Sequence, residues 1–203
     1  MKKIIASILA ALFALTLCCS ALAEEIPVIG INQYGEHGSL DNCREGFLLG
    51  LADAGLVEGE DFTVDYQNAG FDNAIAAQIA QNFSATNVAL MVAIASPSAT
   101  ACFAAAEDKN IPVVFTAITD PVEAGVDSGN ITGTSDKLPV EAQLELIRQL
   151  QPDAETIGII YTTSEPNSVS AIAEYQEKCG DYASRSRSWA SPARARSRRR
   201  RTR

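Results

Sequence analysis

The fold is decided by residues 111–121, which read IPVVFTAITDP. The stretch opens with an apolar run over residues 112–115, which is typical of a β-strand buried in a sheet. Residues 116–121 then bring hydroxyls and a carboxylate, and a proline ends the run. Two interpretations of the polar end are open: a turn that merely needs polar residues, or the wall of a binding site.

On both sides of this stretch, strand patterns alternate with helix patterns along the chain. Further strands are predicted at residues 26–31, 62–66, 88–95, 131–134 and 156–161. Apolar spacing of the helical type lies between them, at residues 40–55, 72–84, 97–108, 139–150 and 166–180. Such alternation predicts right-handed βαβ units and a mainly parallel α/β sheet. We expect 88–95 to be a central strand and 62–66 to lie nearer a sheet edge.

Polar segments follow four of the predicted strands at their carboxyl ends. They read NQYGEHGS, SPSAT, TAITDP and TTSEPNS, while the strands themselves are apolar. In open parallel sheets, ligands bind outside the carboxyl ends of the strands. The repetition at one predicted edge therefore favours the binding-site interpretation over the simple turn.

The two ends of the chain differ from its body. Residues 1–23 have a basic start, an apolar stretch and an Ala-Leu-Ala end, which predict a secretory signal peptide cleaved after Ala23. The Cys18-Cys19 pair offers a lipoprotein alternative, but the bulky Leu17 disfavours it. We therefore expect an exported, extracytoplasmic protein.

Residues 184–203 contain nine of the 16 basic residues and no acid, whereas residues 24–183 hold all 25 acids against five bases. One interpretation is a basic arm for nucleic acid or an acidic membrane. The abrupt switch favours the other, an Arg/Ser-rich disordered tail that arises from a frameshift or truncation of the gene. On that interpretation the protein has no nucleic-acid partner.

Cysteine and histidine content restricts the chemistry. Cys43, Cys102 and Cys179 remain after cleavage, and no two have metal-ligand or redox-motif spacing. His37 is the only histidine of the chain, which disfavours a zinc site or a His-dependent triad. No phosphate loop or nucleophile elbow is present, so we predict no metal, no cofactor and no catalysis.

Several segments together resemble the substrate-binding proteins of ABC transporters of the tryptophan/tyrosine-type uptake group. The segments are IGINQYGEHGSLDNCREGFLLGLADAGLVEG, VALMVAIASPSATA, IPVVFTAITDPVEAG, NITGTSDKLPVEAQLELI and TIGIIYTTSEPNSVS, in the order of the family, within residues 26–182. The resemblance implies the type I periplasmic-binding-protein-like fold, with ligand held between two α/β lobes. Residues 26–134 would form a complete αβα lobe one, and residues 135–183 the start of a truncated lobe two.

The resemblance also implies partners: a small amino-acid-like ligand, aromatic or branched, and an ABC permease in the membrane. We expect a monomer when the protein is full length. Two other functions stay open, an extracytoplasmic ligand-sensing domain and, less favoured, an α/β enzyme.

Candidate ligand-binding residues follow the predicted strands. Ser96 begins a helix whose free N–H groups favour an anion, although capping would also explain a serine there. By resemblance to branched-chain amino-acid binders of the same architecture, the Ala117 backbone and the Thr119 hydroxyl would hold the ligand. Asp120 is a further candidate, with a turn as its alternative role.

The remaining candidates come from the first and fourth polar segments. In the first segment, Tyr34 could stack on an aromatic ligand or pack on its own lobe, and His37 could be a ligand contact or an exposed loop residue. Glu165, in the fourth segment, could pair with an ammonium group. The other candidates in these two segments are Gln33, Glu36, Asn167 and Ser168.

Overall fold

The computed structural model describes residues 26–182 and 185–191. The expected signal peptide, its cleavage after Ala23 and residues 192–203 lie outside the described residues. Across the described ranges, no helix combines the length and the apolarity needed to span a bilayer.

Five parallel strands form the main sheet of the protein. They are β1 (Val28–Gln33), β2 (Thr63–Asn68), β3 (Leu90–Ile94), β4 (Val113–Ile118) and β5 (Ile131–Ser135). The order across the sheet is β2-β1-β3-β4-β5, and every neighbouring pair is parallel. The predicted parallel α/β sheet is confirmed, with β3 at its centre and β2 at one edge.

Helices cover both faces of this sheet. They are α1 (Gly38–Asp53), α2 (Asn73–Thr86) and α3 (Ser96–Ala106). On one face, the apolar residues of α1 pack over Ile31 and Val92. On the other face, α2 and α3 pack together with Phe83, Met91 and Phe115 in the larger core. This two-sided covering is the αβα sandwich expected from the sequence.

A second, smaller unit follows in the chain. It consists of α4 (Val140–Leu150), β6 (Thr156–Thr162), α5 (Pro166–Tyr182) and β7 (Arg185–Ser191). Its core joins Val140, Leu144 and Cys179, with Ile157 packed against them. Ile160, on the same strand, is 77% exposed, so β6 has one covered and one open face.

The expectation of a disordered tail from residue 184 onward is wrong for residues 185–191. These residues form β7, which pairs in parallel with the whole of β6, from Thr156 opposite Arg185 to Thr162 opposite Ser191. Strand pairing joins backbone N–H and C=O groups and does not require apolar periodicity. An Arg/Ser sequence can therefore add a strand to an open edge.

The first strand also extends further than its apolar run. β1 continues through Asn32 and Gln33, which are completely buried. The Asn32 amide donates to the Ala76 carbonyl at 2.9 Å, and its oxygen accepts from the Ser98 hydroxyl at 3.2 Å. A buried polar group is tolerated when it is hydrogen-bonded, so these partners let the strand continue past its apolar part.

Gly30 on β1 packs tightly against the helix α2. A Cβ atom there would lie 2.7 Å from the Phe83 ring in the core. We expect Gly30→Ala to lower the free energy of unfolding by about 1–3 kcal/mol through overpacking. Urea unfolding measures it, with Gly50→Ala on the exposed side of α1 as the control, where the added Cβ meets nothing within 4 Å. An unchanged midpoint for Gly30→Ala would contradict this packing.

Cys102 allows a prediction about alkaline stability. Burial raises the pKa of its thiol to about 12, from 9.0, despite the hydrogen bond from Asn32. Between these values the folded chain keeps the proton that the unfolded chain has lost, so stability falls as pH rises above about 9. We expect this thiol to account for roughly 1 kcal/mol of lost unfolding free energy by pH 10. Denaturant unfolding at pH 8 and pH 10 should show a smaller loss of unfolding free energy in Cys102→Ala than in the parent chain. Equal losses in the two proteins would contradict this prediction.

Candidate functional site

One cavity of about 400 Å³ lies where the carboxyl ends of the strands meet the starts of the helices. Residues at or after the carboxyl ends of β1, β2, β3, β4, β5 and β6 line it. Its lining residues are Tyr34, His37, Ser39, Leu40, Phe71, Ala95, Ser96, Pro97, Ala117, Thr119, Asp136, Glu165 and Asn167. Seven of the residues proposed from the sequence meet here: Tyr34, His37, Ser96, Ala117, Thr119, Glu165 and Asn167.

Hydrogen bonds to neighbouring residues hold the segment after β1 in place at the cavity. Tyr34 is 5% exposed, and its hydroxyl donates to Asn73 Oδ1 at 2.7 Å. Burial raises the pKa of the Tyr34 phenol, and the negative charges of Glu165 and Asp72 raise it further. His37 caps α1, because its Nδ1 accepts from the Ser39 N–H at 3.3 Å. The helix therefore begins at Gly38, directly after its cap.

The start of α3 provides free backbone donors. No side chain caps this helix, and its first backbone pairing joins the Ala99 N–H to the Ala95 carbonyl at 3.1 Å. Among the described residues, the N–H groups of Ser96 and Ser98 have no backbone acceptor, while Pro97 has no N–H. A helix start with free N–H groups carries a partial positive charge and favours an anion.

The end of β4 is irregular where it reaches the cavity. Its register against β5 shifts between Phe115 and Ile118, and Ala117 has a positive φ of 58°. The shift brings Ala117 and Thr119 to the cavity together. The Thr119 hydroxyl donates to Asp136 Oδ1 at 3.2 Å, so one oxygen of that carboxylate is already engaged.

The loop between β6 and α5 closes the cavity from the smaller unit. Glu165 and Asn167 line it, and α5 begins between them at Pro166. Among the described residues, two side-chain hydrogen bonds join this unit to the larger one: Asn73 Nδ2 donates to the Ser164 carbonyl at 3.4 Å, and the Ser170 hydroxyl donates to Asp120 Oδ2 at 3.3 Å. Glu165 therefore faces residues of the larger unit across one shared space.

Four sequence candidates are not brought into the cavity. Gln33 is buried, where its amide donates to Asp41 and its oxygen accepts from Arg44, both at 2.9 Å. Asp120 accepts from the N–H groups of Val122 and Glu123 at 3.1 Å, so it stabilises its own turn. The other two are Glu36, which lies in a neighbouring open groove, and Ser168, whose N–H donates to the Glu165 carbonyl at 3.0 Å.

Sequence reasoning missed six lining residues. Phe71 follows β2 and Asp136 follows β5, so the rule about carboxyl ends of strands would have found both had it been applied to those strands. The others are Ser39, Leu40, Ala95 and Pro97. Across the described residues, no group of three or more His, Cys, Asp and Glu side chains could hold a metal ion.

Comparisons with known proteins agree with this architecture. The family described as "ABC transporter substrate binding protein" matches residues 28–182. The tyrosine-binding protein of Clostridioides difficile is 43% identical over an alignment of 159 residues, and the match covers 74% of this chain and 46% of that protein.

Two solved structures are similar in both sequence and fold. A conserved domain protein from Vibrio cholerae has 36% identity and a TM-score of 0.78, over 82% of this chain and 58% of that one. The ABC domain in complex with L-Trp from Streptococcus pneumoniae has 33% identity and a TM-score of 0.76, over 81% and 57%. The expected type I periplasmic-binding-protein fold is thereby confirmed.

The chain spans about half the length of the relatives it matches. The family match nevertheless covers most of the chain, and it includes every residue that lines the cavity. This chain belongs to the family of ABC transporter substrate-binding proteins.

Proposed function

We propose that the chain is the solute-binding component of an ABC importer and binds a free amino acid, aromatic or branched, in the cavity between its two units. One observation carries the proposal: a helix start with free N–H groups and two carboxylates, Asp136 and Glu165, line the same space. A zwitterion presents one negative and one positive group, and each must be paired when it leaves water. The cavity offers both partners.

The carboxylate of the ligand is assigned to the start of α3. The N–H group of Ser96 supplies a donor, and the Thr119 hydroxyl and the Ala117 backbone also line the cavity. Hydrogen bonds from backbone N–H groups to a carboxylate are charge-assisted and stronger than neutral ones. The helix dipole adds to the attraction for an anion.

The ammonium group is assigned to Glu165, with Asp136 as a second acceptor. Glu165 belongs to the loop of the smaller unit, so a ligand bound by both Glu165 and α3 joins the two units. The relatives with a tyrosine-binding name and with bound L-Trp support an amino-acid ligand. From the family membership we also propose a membrane permease as partner, an extracytoplasmic location and closure of two lobes around the ligand.

Titration calorimetry of the purified chain against the twenty amino acids tests the proposal. We expect at least one amino acid to bind, with Kd on the order of 0.1 mM or tighter. Its N-acetyl and its carboxamide forms should each bind at least about tenfold more weakly, because each removes one charge. Binding of a sugar with no amino acid, binding of nothing, or turnover of the ligand would each overturn it.

Glu165→Gln tests the ammonium assignment. We expect affinity for the amino acid to fall roughly 10- to 100-fold, because a neutral amide replaces a charged acceptor. Glu177→Gln, on the exposed side of α5, is the matched control and should bind like the parent chain. Calorimetry measures both variants, and equal affinities would show that Glu165 does not hold the ammonium group.

Thr119→Val tests the hydroxyl at the end of β4. The Thr119 hydroxyl donates to Asp136 here and would turn to the ligand carboxylate on binding. Valine keeps the shape of the side chain but removes this hydroxyl, so we expect about a tenfold loss of affinity with little change in thermal stability. Thr132→Val, on the exposed part of β5, is the control. Retention of full affinity by Thr119→Val would remove this residue from the site.

A further inference from the structure

The turn after β2 carries an aromatic side chain in a strained conformation. Gly70 and Phe71 have consecutive positive φ values of 62° and 65°. Glycine adopts such values readily, but for phenylalanine the left-handed region is sterically unfavourable. A non-glycine residue remains there only when its surroundings hold it in place.

Contacts with the segment after β1 hold Phe71 in this conformation. Its N–H donates to the Tyr34 carbonyl at 2.7 Å, and its own carbonyl accepts from the Tyr34 hydroxyl at 3.4 Å. The two rings meet edge to face, with centroids 5.6 Å apart and planes at 87°. This is one of the favoured geometries for aromatic pairs.

The position of the ring also depends on Gly35. A Cβ atom on Gly35 would lie 2.4–2.5 Å from three atoms of the Phe71 ring, closer than any real contact. The ring therefore lies directly on the backbone at Gly35, where only a glycine leaves room. Gly35 does not have a positive φ. A glycine is needed here because it leaves room for the ring, not because of its backbone conformation.

Burial in the core does not account for this arrangement. The Phe71 side chain is 41% exposed, in contrast to the core residue Phe83, which is 1% exposed. Phe71 lines the cavity that also contains Ser96, Thr119 and Glu165. A strained, well-held and partly exposed aromatic ring in a ligand cavity is typical of a recognition surface.

We propose that Phe71 is a specificity-determining residue: its ring, held on Gly35, packs against the side chain of the ligand and selects a flat aromatic group over a branched aliphatic one. The proposal rests on the proposed function, since it assumes an amino-acid ligand. Aromatic pairs gain attraction beyond the area they bury, whereas a branched chain gains only from burial. The preference is therefore expected to be about three- to tenfold.

Phe71→Gly and Phe71→Leu form the direct test. Glycine removes the ring and relieves the strain at φ 65°, so this variant should remain folded. Calorimetry with Trp, Tyr, Phe, Leu and Ile gives the ratio of aromatic to aliphatic affinity for each variant. We expect that ratio to fall to about one in both, with Phe71→Tyr retaining the parent ratio. Phe103→Leu, on α3 beside a different cavity, is the control and should also retain it.

Gly35→Ala is an independent test that leaves Phe71 unchanged. The new methyl group displaces the ring, so the same loss of aromatic preference is expected in a protein that thermal unfolding shows to be folded. If the parent chain binds no amino acid, the proposed function fails. If it binds amino acids and Phe71→Gly or folded Gly35→Ala keeps the parent ratio, the role of Phe71 fails while the function stands.

Discussion

The parallel pairing of five strands is the constraint on which the rest of the structure depends. Because all five run in one direction, their carboxyl ends reach the same edge of the sheet. The connections that follow β1, β2 and β3 return through the helices α1, α2 and α3, so these helices start at the edge where the strands end. Free N–H groups and polar loop side chains are thereby collected in one place, before any particular ligand is considered.

Buried polar residues connect the core to this edge. Asn32 joins β1 to α2 and α3 through Ala76 and Ser98, and Gln33 joins the same strand to α1 through Asp41 and Arg44. Unpaired, either amide would be costly in an interior of this kind. Their pairing fixes the strand end that presents Tyr34, so the geometry of the cavity follows from contacts that lie beneath it.

Local pattern predicted the strands and helices because period and composition report burial directly. It predicted Ser96, Ala117, Thr119 and Glu165 at one edge because parallel topology brings strand ends together. It could not separate Gln33 and Asp120 from these residues, because the sequence does not show that a side chain is already hydrogen-bonded. Gln33 accepts from Arg44, and Asp120 accepts from a backbone N–H of its own turn. It also could not predict β7, whose pairing with β6 depends on the backbone.

Backbone strain is concentrated around the cavity. Five non-glycine residues in the described part of the chain have positive φ: Phe71, Asn87, Ala95, Asn110 and Ala117. Asn87 and Asn110 end helices, a position where asparagine tolerates the left-handed conformation. The other three all line the cavity, on the segments after β2 and β3 and at the end of β4. Strain of this kind lasts only where packing over-determines it, and here it acts on the residues that shape the wall. The strained residues therefore lower the stability of the fold, and the surrounding contacts hold them as a preformed cavity wall.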